Sequence, residues 1–280
     1  MWNPVRMPSQ QDSDVVFAGS IPDLYEAYLV PLIFQPYADD LADRLVERQA
    51  TSVLELAAGT GVVTRALASR LPENVAITAT DLNQPMIDHA ATIGTSRPVT
   101  WRQADAMKLP FDDESFDAVA CQFGVMFLPD RHTAYTEMRR VLRPGGVALF
   151  NAWDSIEHND FANVVTQALA TVFADDPPLF LARTPHGYHD VDVIRAEVMA
   201  AGFDSASSID TVSARSKAAT CSMPAIGYCQ GTPLRNEIEA RDPDGLAAAT
   251  TIAAAAIRDR FGETNVDGAI RAQVITAIKV

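Results

Sequence analysis

The chain has few cysteines and no long uninterrupted apolar stretch. Its three cysteines, Cys121, Cys221 and Cys229, are an odd number without framework spacing, and no histidine stands at metal-ligand spacing from them. This usage predicts neither disulfides nor a metal site and favours a reducing compartment. No run of about 18 apolar residues is present, and residues 1–20 lack the apolar core of a signal peptide. We therefore expect a cytoplasmic protein with no membrane partner.

Basic residues are also scarce. The chain has 22 Lys and Arg against 36 Asp and Glu, a formal net charge of −14, and a pI of about 4.7. Such a field repels nucleic acid unless a local basic patch opposes it, and the sequence shows none. With 48% apolar and 21% charged residues the chain is expected to be globular. The expected partner is a small molecule, and the expected assembly is a monomer or homodimer.

The middle of the chain alternates short apolar runs with helical patterns. Strands are predicted over 52–57, 75–80, 99–102, 116–121 and 147–153, with weaker candidates over 205–214 and 269–280. Strands and helices in alternation predict an α/β fold in which helices cover both faces of a parallel sheet. The fold class is therefore a Rossmann-like, doubly wound, mostly parallel seven-stranded sheet with helical cap insertions.

Three parts of the chain differ in their sequence pattern. Residues 1–50 are predicted to form an arm and two short helices, broken between Pro31 and Pro36, that cover the binding site. Residues 51–153 are the predicted binding core, in which 144–146 (Pro-Gly-Gly) forms a turn before the fifth strand. Residues 154–280 are predicted to complete the sheet and to carry cap insertions over about 154–189 and 216–262. Insertions of this kind usually decide substrate choice.

A glycine turn follows the first predicted strand. Gly59 and Gly61 allow a sharp strand-to-helix turn and the close approach of a ligand to the backbone. Asp81, twenty residues after Gly61, ends the second strand, where a carboxylate can accept both hydroxyls of a ribose. The alternative is that Asp81 only caps the next helix. The spacing from the glycine turn favours ribose binding.

A second acidic residue follows the third strand. The Asp105 carboxylate can accept a hydrogen bond from an exocyclic adenine amine, with Leu82 and Met86 placing apolar surface beside the ring. The alternative is a solvated aspartate in a turn. The two preceding elements favour adenine contact.

Taken together, these motifs resemble a known family. In chain order they are the 55–61 turn, Asp81, Ala104-Asp105-Ala106, Leu109-Pro110-Phe111, Ser115-Phe116-Asp117 and Leu142-Arg143-Pro144-Gly145-Gly146. The series resembles the class I S-adenosylmethionine-dependent methyltransferases, particularly the type 11 branch that contains the ubiquinone and menaquinone biosynthesis C-methyltransferases. The resemblance covers residues 51–153 well and the remainder only loosely.

The resemblance implies S-adenosylmethionine as cofactor and a set of residues that bind it. Glu55, Gly59 and Gly61 would line its methionine and ribose parts, while Gln122 and Phe123 would border the transferred methyl group. The chain has Ala57 where family members usually carry glycine, which adds a methyl group at the loop entry. The full set is Tyr25, Glu55, Ala57, Gly59, Gly61, Asp81, Leu82, Met86, Asp105, Ala106, Gln122 and Phe123.

The expected activity is methyl transfer to a small-molecule acceptor by direct in-line displacement. Such chemistry needs alignment and a base only if the acceptor must lose a proton, so no catalytic motif is required. His186, Tyr188 and His189 are candidate bases in a loop after the core, the alternative being an ordinary polar loop.

Rival functions stay open on the sequence. One is a non-catalytic S-adenosylmethionine-binding protein on the same fold. Another is an NAD(P)-dependent oxidoreductase, although its fingerprint predicts glycine where this chain has Thr64. A protein or RNA methyltransferase is disfavoured by the acidic charge and by the lack of an Asn/Asp-Pro-Pro-aromatic signature.

Overall fold

A computed structural model describes residues 14, 17, 19–205 and 207–280 of the chain. Its centre is a seven-stranded sheet in the order β3-β2-β1-β4-β5-β7-β6. Strands β1 to β5 and β6 run parallel to one another, and only β7 is antiparallel to its neighbours. The strands are β1 Ser52–Leu56, β2 Ala76–Asp81, β3 Thr100–Gln103, β4 Phe116–Gln122, β5 Leu142–Trp153, β6 Ser208–Thr220 and β7 Thr264–Ile278. The predicted Rossmann-like, mostly parallel sheet is confirmed.

Helices cover both faces of the sheet. The central strand β1 is buried on both faces, since Val53 and Leu54 have no exposed surface and Leu56 is 1% exposed. This is why the strand is a continuous apolar run rather than an alternating one. The α-helices are α1 Ile21–Leu24, α2 Gln35–Val46, α3 Val62–Arg70, α4 Gln84–Ile93, α5 Arg131–Val141, α6 Asp160–Val172, α7 Phe180–Arg183, α8 Val191–Ala200, α9 Ser222–Gln230, α10 Leu234–Arg241 and α11 Leu246–Phe261.

The helical segment before the sheet corrects one prediction. The expected break between Pro31 and Pro36 does not occur, because a π-helix over Tyr25–Phe34 joins α1 directly to α2. The wider turn is closed by the Gln35 amide, which donates to the Val30 carbonyl five residues earlier. Pro36 lies in the first turn of α2, where a missing N–H leaves no helical hydrogen bond unmade. The π-helix lines the cavity described below.

The segment 144–146 corrects a second prediction. Rather than forming a turn before the fifth strand, it lies within β5, where the register with β4 shifts between Phe116 and Ala118. Gly145 has φ +79° and donates its amide to the Lys279 carbonyl at 2.7 Å. The glycines thus allow a bulge that stays hydrogen-bonded to the end of the chain.

Segments that follow β5 in the chain pack against the helices that precede the sheet. Leu29 of the π-helix packs against Gly227 of α9, where an added Cβ would lie 3.0 Å from the leucine Cδ2. The Tyr37 hydroxyl donates to the Val212 carbonyl of β6 at 3.3 Å. These contacts bring sequence-distant segments together over the carboxyl ends of the strands. Among the described residues, no helix is long and apolar enough to cross a membrane.

Candidate active site

A cavity of about 510 Å³ opens at the carboxyl ends of β1, β2, β4 and β5. Its two regions differ in chemistry. The carboxylate end comprises Gly59, Asp81, Leu82, Asp105 and Ala106. The aromatic end comprises Phe34, Phe123, Trp153, Phe180, His186 and Tyr228.

The Asp81 carboxylate is held in place by backbone donors. The Gly59 amide donates to its Oδ2 at 2.9 Å, and the Asn83 amide donates to its Oδ1 at 2.8 Å. Burial raises the pKa of Asp81, while the amides of Asn83 and Gly59 act in the opposite direction. Oδ1 also lies 3.5 Å from the Asn83 side-chain amide, a long contact, and Oδ2 has a lone pair left beyond its bond to Gly59, so the group can still accept donors from a ligand.

The two glycines of the turn serve different purposes. Gly59 has φ +57°, and an added Cβ would meet nothing closer than the Tyr25 hydroxyl at 3.7 Å, so it would project into cavity space. Gly61 has φ +86° and does not line the cavity. An added Cβ there would lie 3.0 Å from Trp101 and 3.2 Å from Ala90. Gly59 therefore leaves room for a ligand, whereas Gly61 allows close packing of β3 and α4.

Two non-glycine residues beside the cavity have left-handed backbones. Ala57, after β1, has φ +52°, and Phe123, after β4, has φ +50°. Such conformations cost about 1–3 kcal/mol each and cluster at functional sites. Ala57 also explains Gly124, since an added Cβ at that glycine would lie 2.5 Å from the alanine methyl group. The alanine is therefore accommodated by a glycine on the neighbouring loop.

Glu55 lies beneath the glycine turn and not in the cavity. It is 1% exposed and accepts a hydrogen bond from the Thr64 hydroxyl at 2.6 Å. Burial, opposed by the Thr64 bond and reinforced by the nearby Asp81 charge, raises the pKa of Glu55 to about 8. Thr64, at the position where a dinucleotide fingerprint carries glycine, thus fixes a buried carboxyl group under the loop.

The remaining predicted residues at the carboxylate end line the cavity. One carboxylate oxygen of Asp105 accepts a hydrogen bond from the Met107 amide in its own loop, at 2.8 Å. Leu82 is 50% exposed, while Met86 is 3% exposed and forms part of the floor. Ala106 lies beside them. The arrangement offers an acidic acceptor and apolar surface at the same place.

The predicted residues from the π-helix and β4 lie between the two ends. Tyr25 stacks on Phe34, with ring centroids 4.8 Å apart, and burial raises the pKa of its phenol so that it stays protonated. Gln122 donates its side-chain amide to the Phe34 carbonyl at 3.3 Å. Both residues line the cavity, and the amide ties the π-helix to the sheet.

The aromatic end is a set of packed rings. Phe123 and Trp153 stack in parallel, with centroids 3.7 Å apart and planes 3° from each other. Phe34 packs against both rings at 5.8 and 6.2 Å, and His186 lies 5.9 Å from Trp153. Phe180 and Tyr228 close the wall. This end offers flat apolar surface to a ligand.

Among the three candidate bases only His186 lines the cavity. The Tyr188 hydroxyl instead bonds the Tyr135 hydroxyl at 3.1 Å and donates to Glu197 at 2.7 Å. His189 bonds the His186 carbonyl through Nδ1 at 2.8 Å. Sequence reasoning could not separate the three, because all belong to one loop.

Several lining residues escaped sequence reasoning altogether. Asp14 is 4% exposed and accepts from the Arg183 guanidinium at 2.8 and 2.9 Å, while the same guanidinium also donates to Glu237 at 2.8 Å. Phe17 packs edge-on against Tyr25. No local motif marks these residues, since they come from segments far apart in the chain. In the described part of the chain, no cluster of metal-ligating side chains is present.

Comparison with known proteins matches the core of this fold. Residues 54–150 match the family model of a methyltransferase domain. The chain is 29% identical over 171 residues to the ubiquinone/menaquinone biosynthesis C-methyltransferase UbiE of Escherichia coli O139:H28, covering 56% of this chain and 68% of that protein.

Solved structures show the same fold over nearly the whole chain. A phosphoethanolamine N-methyltransferase 2 from Haemonchus contortus, solved with S-adenosylhomocysteine, matches with a TM-score of 0.59 at 16% identity, covering 99% of this chain and 62% of that one. The [4+2]-cyclase SpnF matches with a TM-score of 0.55 at 22% identity, covering 88% of this chain and 82% of that one.

Proposed function

Because the chain is an S-adenosylmethionine-dependent methyltransferase, we propose that it holds S-adenosylmethionine at the carboxylate end of the cavity. We further propose direct transfer of the methyl group to a small molecule bound at the aromatic end. The observation that carries the proposal is the Asp81 carboxylate, held by two backbone amides beside the open space over Gly59.

The residues present fit the cofactor. Asp81 offers acceptors for the two ribose hydroxyls, and Asp105 offers one for the adenine amine. Leu82 and Met86 supply apolar surface for the ring. Gly59 keeps its side of the cavity free, since a side chain there would occupy the space that the ligand needs.

When bound, the cofactor would supply a methyl group attached to a sulfonium sulfur. Loss of the methyl group converts the sulfonium to a neutral thioether, which is the leaving group. The chain's own contribution is to orient and to exclude water. Phe123 and Trp153 form a rigid stack next to Gln122, at the end of β4 where the two regions of the cavity meet. The left-handed backbone of Phe123 is held by its amide, which donates to the Asn151 side chain at 2.9 Å. The acceptor would lie against this stack and approach the methyl carbon in line with the carbon–sulfur bond.

A small molecule is the acceptor that the cavity favours. About 510 Å³ must hold both ligands, and ordinary small-molecule sites span about 300–1,000 Å³. The net charge of −14 disfavours nucleic acid. The alternative is a non-catalytic S-adenosylmethionine-binding protein, which the fold does not separate from a methyltransferase, since a [4+2]-cyclase has the same fold too.

The test compares two glycines with similar positive φ. Gly59→Ala adds a methyl group inside the cavity at φ +57°, whereas Gly19→Ala adds the same group at φ +66° with nothing within 4 Å. Calorimetric titration with S-adenosylhomocysteine is expected to show micromolar binding by wild type and Gly19→Ala, and a loss of binding by Gly59→Ala. Folded wild type that fails to bind would overturn the proposal. Binding without methyl transfer to any acceptor in a broad screen would favour the non-catalytic alternative.

A further inference from the structure

His186 is held in one orientation by a single hydrogen bond. Its Nδ1 lies 2.8 Å from the backbone carbonyl of Asp154, directly after β5. A carbonyl oxygen can only accept, so Nδ1 carries the proton and Nε2 keeps its lone pair. The side chain is 5% exposed. The fold therefore presents the basic nitrogen of a neutral imidazole.

That basic nitrogen has no partner within the described part of the chain. Nε2 makes none of the hydrogen bonds found there. The residue lines the cavity, with its ring beside Trp153. The imidazole thus forms part of the wall of the space that we assign to the acceptor.

The surroundings keep the ring neutral until a proton arrives. Burial lowers the pKa of His186 to about 4, opposed by the Asp154 carbonyl bond. His189 acts in the same direction as burial, whereas the carboxylates of Glu157 and Asp154 act against it. At neutral pH the ring is a proton acceptor, and the Asp154 carbonyl and both carboxylates stabilise the imidazolium that forms on protonation.

Resting on the proposed function above, we propose that His186 is the catalytic base for methylation of a hydroxyl group on an aromatic acceptor. The hydroxyl oxygen forms the new bond to the methyl carbon. The carbon–sulfur bond breaks, and its electron pair stays on sulfur. The hydroxyl proton passes to Nε2 of His186 and leaves to solvent after the product departs.

The basicity of the ring favours a hydroxyl over an amine. An alkylated hydroxyl is a strongly acidic oxonium, so even a weakly basic imidazole accepts its proton as the bond forms. An aliphatic ammonium, with a pKa near 10, would keep its proton against such a base. A neutral amine needs no base for its lone pair to attack.

The walls favour a flat, apolar carrier for that hydroxyl. The Phe123–Trp153 stack and Phe180 surround the space next to His186 with rings. The carboxylates of Asp14 and Glu237 share the Arg183 guanidinium, and Glu237 also lies 3.8 Å from Arg241, so two guanidinium groups balance the two carboxylates.

The binding test uses 2-naphthol and its methyl ether, 2-methoxynaphthalene, titrated into protein saturated with S-adenosylhomocysteine. Wild type is expected to bind 2-naphthol at least tenfold more tightly than the ether, since only the naphthol donates to Nε2. His186→Leu, whose side chain has no hydrogen-bond acceptor, is expected to remove that difference. His132→Leu, at an exposed position on α5 outside the cavity, is expected to keep it. Equal affinities in wild type, or equal losses in both variants, would overturn the assignment.

Two further readouts separate this inference from the proposed function. Nitrogen-15 spectra of the histidine rings are expected to show one ring, absent from His186→Gln, that stays neutral with a proton on Nδ1 from pH 5.5 to 8. Protonation of that same ring between these pH values would overturn the assignment. With labelled S-adenosylmethionine, methylation of 2-naphthylamine but not 2-naphthol would also overturn it. Failure to bind S-adenosylhomocysteine would instead overturn the proposed function.

Discussion

The two ends of the cavity are built in opposite ways. The carboxylate end comes from residues 59–106, each at the end of one of three adjacent strands or in the short loop that follows it. The aromatic end draws on residues from Phe34 to Tyr228, in the π-helix, at the ends of two strands, in α7, in a loop and in α9. Short loops next to the strands position the residues of the carboxylate end, whereas tertiary packing brings together those of the aromatic end. Proteins with this fold can therefore bind the same ligand at the carboxylate end and different ligands at the aromatic end.

The two ends also differ in how they would hold a ligand. At the carboxylate end, backbone amides orient acidic acceptors, as the Gly59 amide does for Asp81. At the aromatic end, stacked rings form a flat apolar wall, and only a few side chains, such as His186, are polar. If this division is real, substitutions at one end should leave ligand binding at the other end nearly unchanged.

The largest expected effect is at Asp81. Asp81→Ala removes the acceptors proposed for the ribose hydroxyls, and hydrogen bonds to a charged group contribute about 1.5–3 kcal/mol each. We expect S-adenosylhomocysteine affinity to fall about 100-fold, equivalent to about 3 kcal/mol. Calorimetry is the measurement. Asp88→Ala, an exposed acidic residue on α4, is the control for lost charge and should bind as wild type does. Unchanged affinity in Asp81→Ala would contradict the assignment of the carboxylate end.

The next effect is on stability and concerns Glu55. Its pKa is about 8 in the folded chain, against about 4.3 when unfolded. As the pH rises between these values, the unfolded chain releases a proton that the folded chain keeps, so stability falls. We expect a loss on the order of 2 kcal/mol between pH 6 and 8, measured by urea unfolding. Glu55→Gln should flatten this dependence. An equally steep slope in the variant would show that another group titrates.

His186 provides the comparison of opposite sign. Its pKa is about 4 in the folded chain and about 6.5 when unfolded. Its contribution is therefore present above pH 6.5 and is lost as the pH falls toward 4. His186→Gln should remove a rise in the unfolding free energy between about pH 4 and 6.5, whereas Glu55→Gln should remove a fall between about pH 4.3 and 8, so the two effects are distinguished by their sign. Non-additive changes in the double variant would mean that the two groups are electrostatically coupled.

A smaller effect is expected from trimming one ring of the aromatic end. Phe180→Leu should weaken 2-naphthol binding about tenfold, or about 1.4 kcal/mol, while S-adenosylhomocysteine affinity stays within about twofold. Phe161→Leu is the matched control, since Phe161 is just as buried but packs against Phe261 in the core. The control should lose stability without losing naphthol affinity. A comparable loss of both ligands in Phe180→Leu would show that the ends do not act separately.

Sequence reasoning predicted the central fold because each strand there is a short apolar run bounded by a turn. It failed where a local rule met an unusual backbone. Pro31 and Pro36 predict a helix break, yet the segment stays helical. Pro31 lies inside the π-helix, and Pro36 lies in the first turn of α2, where its missing N–H breaks no hydrogen bond. A Pro-Gly-Gly sequence predicts a turn, yet its partner strand keeps it paired as a bulge. Both outcomes depend on neighbours that local patterns do not contain.

The candidate site divides in the same way. Asp81 and Asp105 follow strands at recognisable spacing, and the structure places both at the cavity. Other motif residues stabilise the sheet instead: Asp117 accepts from the Thr51 amide at 2.8 Å and from Arg143 at 2.6 Å, at the amino ends of the strands. The aromatic rings carry no spacing signal, because tertiary contacts bring them together.

The smallest effect sharpens the comparison at the junction of loop and sheet. Ala57→Gly removes a left-handed alanine, which relieves about 1–2 kcal/mol of strain, but glycine costs about 0.5–1 kcal/mol in the entropy of the unfolded chain. The variant should therefore gain at most about 1 kcal/mol in urea unfolding, with S-adenosylhomocysteine affinity within about threefold of wild type. Gly124→Ala, whose added Cβ would lie 2.5 Å from the Ala57 methyl group and 2.8 Å from Cys121 Sγ, should be destabilising. That cost should shrink in the Ala57→Gly background, because one of the two clashes is gone. Strictly additive effects would mean that the alanine and the glycine are accommodated independently, and the loop after β1 would then not depend on the loop after β4.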